Sequence, residues 1–240
     1  MITSKENAWF KRVRDAIREH GDEIVIEGPK AVSDAIVAGW KPIGICGGAG
    51  FSPPSRAESP TYVFSPQLLK SITDTKTSQG VIGLFERPKW TADQIFARRD
   101  AIAVALDAVQ DPGNVGTIVR LAAAFDAAGV ILLPGCADAF GQKAIRASAG
   151  AILSVPIVSM TAEELLASRH PLFAADAKGS TDPVPKGILI FGSEGRGVST
   201  MLNERATAVA VETSGRVESL NVAAAAAILL WRTFCSTKGS

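Results

Sequence analysis

The 240-residue sequence is poor in the residues that build metal sites and cross-links. It has three widely spaced cysteines, Cys46, Cys136 and Cys235, with no CxxC, and two histidines, His20 and His170. An odd, scattered set of thiols argues against a disulfide framework and for a reducing, cytoplasmic setting. No Cys/His/Asp group has metal-ligand spacing, so no metal is expected. Long hydrophobic runs are missing as well. The apolar stretch Val222 to Trp231 is far shorter than the roughly 20 residues of a membrane helix, and it reads as a buried helix. Basic and acidic charges run through Met1 to Arg18 and leave no apolar stretch for a signal peptide, so no membrane association is expected. Nor is there an excess of one charge: 25 Lys and Arg stand against 24 Asp and Glu, a net +1. Overall charge therefore gives no argument for nucleic acid, and any such contact must come from a local basic patch. There is no GxSxG elbow and no GxxxxGK[ST] phosphate loop, and Gly47-Gly48-Ala49-Gly50 fits no dinucleotide fingerprint. No covalent nucleophile is expected.

What is present is enough to bury a core: 47% of residues are apolar and 20% charged. In the first third, helical spacing over Trp9 to His20 and Ala31 to Ala38 alternates with strand signals at 24–26, 43–46 and 80–85. Gly47 to Pro60, rich in Gly, Pro and Ser, reads as a loop. Residues 88–98 read as a linker, which predicts an N-terminal domain over 1–87 and a C-terminal domain over 99–240. The second part predicts strands at 101–106, 129–133, 155–158, 172–175, 187–191 and 207–211. Helices are predicted at 115–127, 141–149, 161–168, 198–203 and 221–234. Continuous apolar strands alternating with helices imply an α/β fold with a parallel sheet covered on both faces. Ligands of such sheets bind beyond the strand carboxyl ends, which directs attention to three loops.

The first loop runs from Asp107 through Asp111-Pro112-Gly113-Asn114 into a helix. Asn114 suits a helix cap. Asp107 and Asp111 suit turn capping better than an acidic pair. Arg120 falls off the apolar stripe of Ile118, Leu121, Ala122 and Phe125. It is either a plain surface arginine or a guanidinium placed to meet an anion. The second loop is Gly192-Ser193-Glu194-Gly195-Arg196-Gly197, whose glycines allow positive φ and close approach of a ligand. Glu194 disfavours a polyphosphate there; it suits pairing with Arg120 or Arg196, or facing a cationic ligand such as a sulfonium. The third loop is Gly215-Arg216-Val217-Glu218-Ser219-Leu220-Asn221, before the long apolar helix. Ser219 suits an N-cap, with Asn221 in the first turn of a helix start that can receive an anion.

Taken in order, these loops resemble the three motifs of the SpoU/TrmH family of RNA ribose methyltransferases, in the SPOUT class. The first is Asn114-Val115-Gly116-Thr117-Ile118-Val119-Arg120. The second is Ile190-Phe191-Gly192-Ser193-Glu194-Gly195-Arg196-Gly197, and the third Val217-Glu218-Ser219-Leu220-Asn221-Val222-Ala223. Glu27-Gly28-Pro29-Lys30, then Ala31 to Ala35, resembles the start of the family's N-terminal RNA-binding domain, and Gln79-Gly80-Val81 its end. Ser148 to Ala151 and Val155-Pro156-Ile157 resemble the stretch between the first two motifs. Gly47 to Pro60 has no counterpart. Where relatives often read Ile-Pro-Met-x-Gly before the third motif, this chain reads Val211-Glu212-Thr213-Ser214-Gly215, which predicts a more polar pocket wall.

The resemblance implies a C-terminal trefoil-knotted parallel-sheet SPOUT domain behind a smaller α/β RNA-binding domain like a ribosomal protein. It implies S-adenosylmethionine as cofactor and a homodimer that shares its active sites. Catalytic roles are implied for Asn114, Arg120, Glu194, Ser219 and Asn221. Cofactor contacts are implied for Gly192, Ser193, Glu194, Gly195, Val211, Thr213, Ser219 and Leu220. The implied substrate is a ribose 2′-hydroxyl of structured RNA, ribosomal RNA before transfer RNA, with Arg12, Arg14, Lys30, Arg87, Lys89, Arg98, Arg99, Lys143 and Arg146 as candidate phosphate contacts. A non-catalytic RNA-binding relative is the main rival reading. An ordinary nucleotide-dependent α/β enzyme is the second.

Overall fold

A computed structural model describes residues 1–19, 21–54, 58–72, 80–184 and 186–238. His20 and Gln79 lie outside them. The chain divides into two compact units: residues 1–89 with 140–142, and residues 90–139 with 143–240.

The first unit runs α1 (Ala8–Glu19), β1 (Glu23–Glu27), α2 (Pro29–Val37), β2 (Pro42–Gly47), β3 (Thr61–Val63), α3 (Pro66–Ile72) and β4 (Val81–Glu86). Its sheet has the order β1-β4-β2-β3, with only β2 and β3 parallel. Phe10 and Val13 of α1 and Leu68, Leu69 and Ile72 of α3 pack with Val25, Cys46, Ile82 and Leu84 of the strands. β3 and α3 have no counterpart in the sequence reading. β3 is three half-exposed residues beside a Pro-rich stretch, and α3 opens on a proline, so neither carries an apolar period. Trp9 stacks on Tyr62 at 4.3 Å across Gly44, where a Cβ would lie 2.5 Å from the indole.

The second unit runs α4 (Ala92–Phe96), β5 (Ala103–Asp107), α5 (Pro112–Ala124), β6 (Val130–Leu132), α6 (Gln142–Ser148), a 3-10 turn (Ala151–Leu153), β7 (Ile157–Ser159), α7 (Ala162–Ala167), β8 (Leu172–Ser180), β9 (Ile188–Gly192), α8 (Thr200–Asn203), β10 (Thr207–Val209) and α9 (Val222–Lys238). The six strands form one parallel sheet in the order β10-β8-β9-β5-β6-β7. Residues 88–98, expected as a linker, contain α4, which has a capping box at Thr91 and Gln94. Its Ile95 is buried with Ala103, Ala105, Ile131, Ile188 and Ile190 on one sheet face, where Leu165 of α7 and Leu202 of α8 also pack. The alternate residues Val104, Leu106, Leu189 and Phe191 are buried on the other face, as the two-residue strand period requires. There α9 meets β9 and α5 packs against α9. Sheet order reverses between β5 and β9, so the carboxyl ends of those two strands flank the switch point where such sheets bind ligands.

β8 continues to Ser180, beyond the predicted end at 175. Its pairing with β10 breaks after Ala174↔Ala208 and resumes at Ser180↔Val209. No described helix is long and apolar enough to cross a membrane.

Candidate functional site

The site is assembled where the loops after β5, β9 and β10 converge. After β5, Asp111 caps α5: its Oδ1 accepts from the N–H groups of Gly113 (2.6 Å) and Asn114 (3.0 Å), and Pro112 occupies the first helical turn. This corrects the expectation that Asn114 is the cap, and the helix begins three residues earlier than predicted. Lys143 holds the other carboxylate oxygen at 2.7 Å. Together, Lys143 first and then the two N–H groups keep the Asp111 carboxyl below the usual carboxylate range. Asp107, at the end of β5, accepts from the Ser199 N–H at 2.7 Å and so ties β5 to the segment entering α8.

Relieved of capping, the Asn114 side chain reaches the second loop. Its Nδ2 donates to Glu194 Oε1 at 2.5 Å, and its Oδ1 accepts from Asn221 Nδ2 at 3.4 Å. Asn114 thus links the three loops. Asn221 also serves as the N-cap of α9, with its Oδ1 accepting from Ala223 N (2.9 Å) and Ala224 N (3.3 Å). Ser219 was expected in that role, and Asn221 in the first turn. The actual arrangement leaves Ser219 to line a cavity.

The second loop turns back sharply. Gly197 N donates to Ser193 O at 2.9 Å, Arg196 N donates to Ser193 Oγ at 3.3 Å, and Gly197 has a φ of 69°. A Cβ on Gly192 would fall 1.9 Å from the Gly197 carbonyl carbon. The turn is closed so tightly that only glycine fits.

Behind this turn lies a cavity of about 390 Å³, within the range of small-molecule sites. Of the residues implied as cofactor contacts, Gly192, Ser193, Glu194, Val211, Thr213, Ser219 and Leu220 line it, and Gly195 does not. Phe191, Val198, Val209, Val222, Ala225 and Leu229 complete the apolar wall. Ala175, Asp176, Ala177, Arg196, Gly197, Asn203 and Glu218 are further lining residues that the sequence reading missed. The rule that ligands sit at strand carboxyl ends, applied to strand 172–175, points to Ala175–Ala177; nothing in the sequence marks Asn203. Thr213 makes the wall more polar as expected, whereas Glu212 is exposed and outside the lining.

Arg120 stands apart. Six positions after Asn114, it projects about 120° away around the helix. It is exposed, outside the cavity lining, and no hydrogen bond or ion pair engages it among the described residues. Glu194 pairs with Asn114 in place of Arg120 or Arg196. Several candidate phosphate contacts are already paired: Arg12 with Glu23, Arg14 with Asp15, Lys30 with Asp34, Arg98 with Asp126 and Lys143 with Asp111. Such exposed pairs are weak enough to be exchanged for phosphate.

Comparison with known proteins places this geometry. Residues 101–231 match the model of the SpoU rRNA methylase family. A Bacillus subtilis relative, named 23S rRNA (guanosine(2553)-2′-O)-methyltransferase RlmP, is 33% identical over 180 residues, covering 71% of each chain. The crystal structure of an AdoMet-bound rRNA methyltransferase from Sinorhizobium meliloti superposes with a TM-score of 0.87 at 27% identity, over 98% of this chain and 97% of that one. The SpoU methyltransferase AviRb of Streptomyces viridochromogenes gives 0.85 at 25% identity over 97% and 98%. The chain spans about half the length of some other curated relatives. The chain belongs to the SpoU rRNA methylase family.

Proposed function

We propose that this protein transfers the methyl group of S-adenosylmethionine to a ribose 2′-hydroxyl of ribosomal RNA. The observation that carries the reading is the meeting of Asn114, Glu194 and Asn221 in one hydrogen-bonded chain beside a cavity built by the second and third loops. The cavity suits the cofactor. It has apolar walls for an adenine, tightly turned glycine backbone, and, among the described residues, the carboxylates of Asp176, Glu194 and Glu218 against the guanidinium of Arg196, a balance that favours a cation. The AdoMet-bound relative supports the same assignment.

The cofactor supplies a methyl already activated by its sulfonium, so the chain has to align the attacking oxygen and manage its proton. Glu194 holds Asn114, and Asn114 and Asn221 position the ribose. Ser219 and Leu220 border the cofactor. Arg120, which stands outside its own chain's cavity, serves the site of the other subunit in the dimer, where it binds the substrate phosphate and stabilises charge growing on the 2′-oxygen. An ordinary guanidinium stays protonated, so orientation and charge stabilisation suit it better than a base role, and the hydroxyl proton passes to solvent. The first unit serves as the RNA-binding domain, and the second unit carries the family's trefoil knot. The protein works in the cytoplasm as a homodimer. Support for the dimer comes from α9, which exposes Ala224, Ile228, Trp231 and Cys235 on one helical stripe; Trp231 is 56% exposed.

Two measurements test this. Isothermal titration should show one S-adenosylmethionine per chain, and 2′-O-methyl mapping of ribosomal RNA should lose a site in a deletion strain. Arg120→Ala should cut transfer at least 100-fold and leave cofactor affinity within about twofold. Loss of a transfer-RNA site instead would redirect the substrate, and absence of cofactor binding, with or without RNA, would favour a non-catalytic RNA-binding protein.

A further inference from the structure

Among the described residues, Asp176 is the one cavity carboxylate outside the three sequence motifs. It is there because the sheet is interrupted. Between Ala174 and Ser180, residues 175–179 leave the pairing with β10 at the sheet's carboxyl edge. The interruption is tightly held: a Cβ on Gly179 would lie 2.3 Å from Val209 N, so the loop presses directly on β10. Asp176 Oδ1 accepts from the Lys178 N–H at 2.8 Å, which fixes the carboxylate and, among the described residues, leaves its other oxygen unengaged. The side chain is half-buried, in an apolar stretch of the lining made by Ala175, Ala177 and Val209.

Sheet order says which end of a cofactor this carboxylate meets. The reacting end belongs beside Asn114 and Glu194, at the ends of β5 and β9. Asp176 lies within β8, two residues past Ala174, where pairing with β9 ends; β8 neighbours β9 and is two strands from β5, about 10 Å across the sheet. It therefore lies on the side of the cavity away from Asn114. A fixed carboxylate at the carboxyl end of a parallel strand is suited to accept from a pair of vicinal hydroxyls.

We propose that Asp176 is a cofactor-specificity residue that accepts hydrogen bonds from the ribose hydroxyls of S-adenosylmethionine. This rests on the methyltransferase reading above. The ribose is common to the cofactor and to its product, S-adenosylhomocysteine, whereas the sulfonium charge is not. Titration calorimetry on the full chain separates the two. Asp176→Ala should weaken both ligands by the same factor, about 10- to 100-fold for a charge-assisted contact. Asp176→Asn keeps an acceptor for Lys178, so its expected loss of affinity cannot come from collapse of the loop. An S-adenosylhomocysteine analogue lacking both ribose hydroxyls should bind wild type weakly and be nearly insensitive to Asp176→Ala. Unchanged affinities in the variants would overturn the assignment, as would a loss confined to S-adenosylmethionine, which marks a contact to the sulfonium. Failure of wild type to bind either ligand would overturn the cofactor reading itself and this assignment with it.

Discussion

Gly192 has no room for a side chain, because the Gly197 carbonyl carbon occupies the place of its Cβ. Gly192→Ala must open the turn that borders the cavity, at an overpacking cost of about 1–3 kcal/mol. Cofactor affinity should fall at least tenfold, with a lower melting temperature; an unchanged titration would show that the turn is not part of the binding surface. The glycine richness of 192–197 was legible in the sequence, but the contact that demands it was not, since it depends on how the loop folds back. The same holds for Asn114 and Asn221. Both read as polar residues at helix starts, and a helix start has several acceptable caps. Asp111 takes one cap and Asn221 the other, and only in three dimensions does Asn114 emerge as the link between loops 80 and 107 residues apart.

Helix α5 is set by its first turn. The Asp111 carboxyl titrates below its ordinary value because its ionised form is held by Lys143 and by two helix N–H groups. A lowered folded-state value means that this stabilisation is fully present above the ordinary carboxylate range. It fades as pH falls through the lowered value. Asp111→Asn should therefore melt below wild type at neutral pH, and thermal melts should converge at strongly acid pH. A gap that persists there would assign the effect to shape and not to charge. At this scale the continuous apolar strands β5, β6 and β9 were plain from sequence, because both faces of the sheet are covered. β3 and α3 were not, since they are short and lack a period. The end of β8 was missed for a different reason: Asp176-Ala177-Lys178-Gly179-Ser180 reads as a polar loop, and it is strand at its end only because β10 resumes pairing at Ser180.

For the molecule as a whole, α9 has two duties. Val222, Ala225 and Leu229 border the cavity, while Ile228 and Trp231 face outward. Trp231→Glu should convert a dimer to a monomer in sedimentation velocity and, where active sites are shared, abolish transfer. A wild-type monomer would remove the dimer from the reading. The sequence resemblance supplied the family and the three loops as a set; composition and periodicity alone stop at a parallel α/β sheet. The strand order carries one more consequence. β5 pairs with β9, so Ala103 to Asp107 wait for Ile188 to Gly192, and β9 in turn lies beside a strand whose far neighbour begins at Thr207. During synthesis β5 can pair with β6 early, but its other edge has no partner until β9 has left the ribosome. Pairings that distant fold slowly, and apolar strands kept waiting are exposed to aggregation. The ribosome that makes this chain must therefore release it through Gly192 before the β5–β9 seam can close.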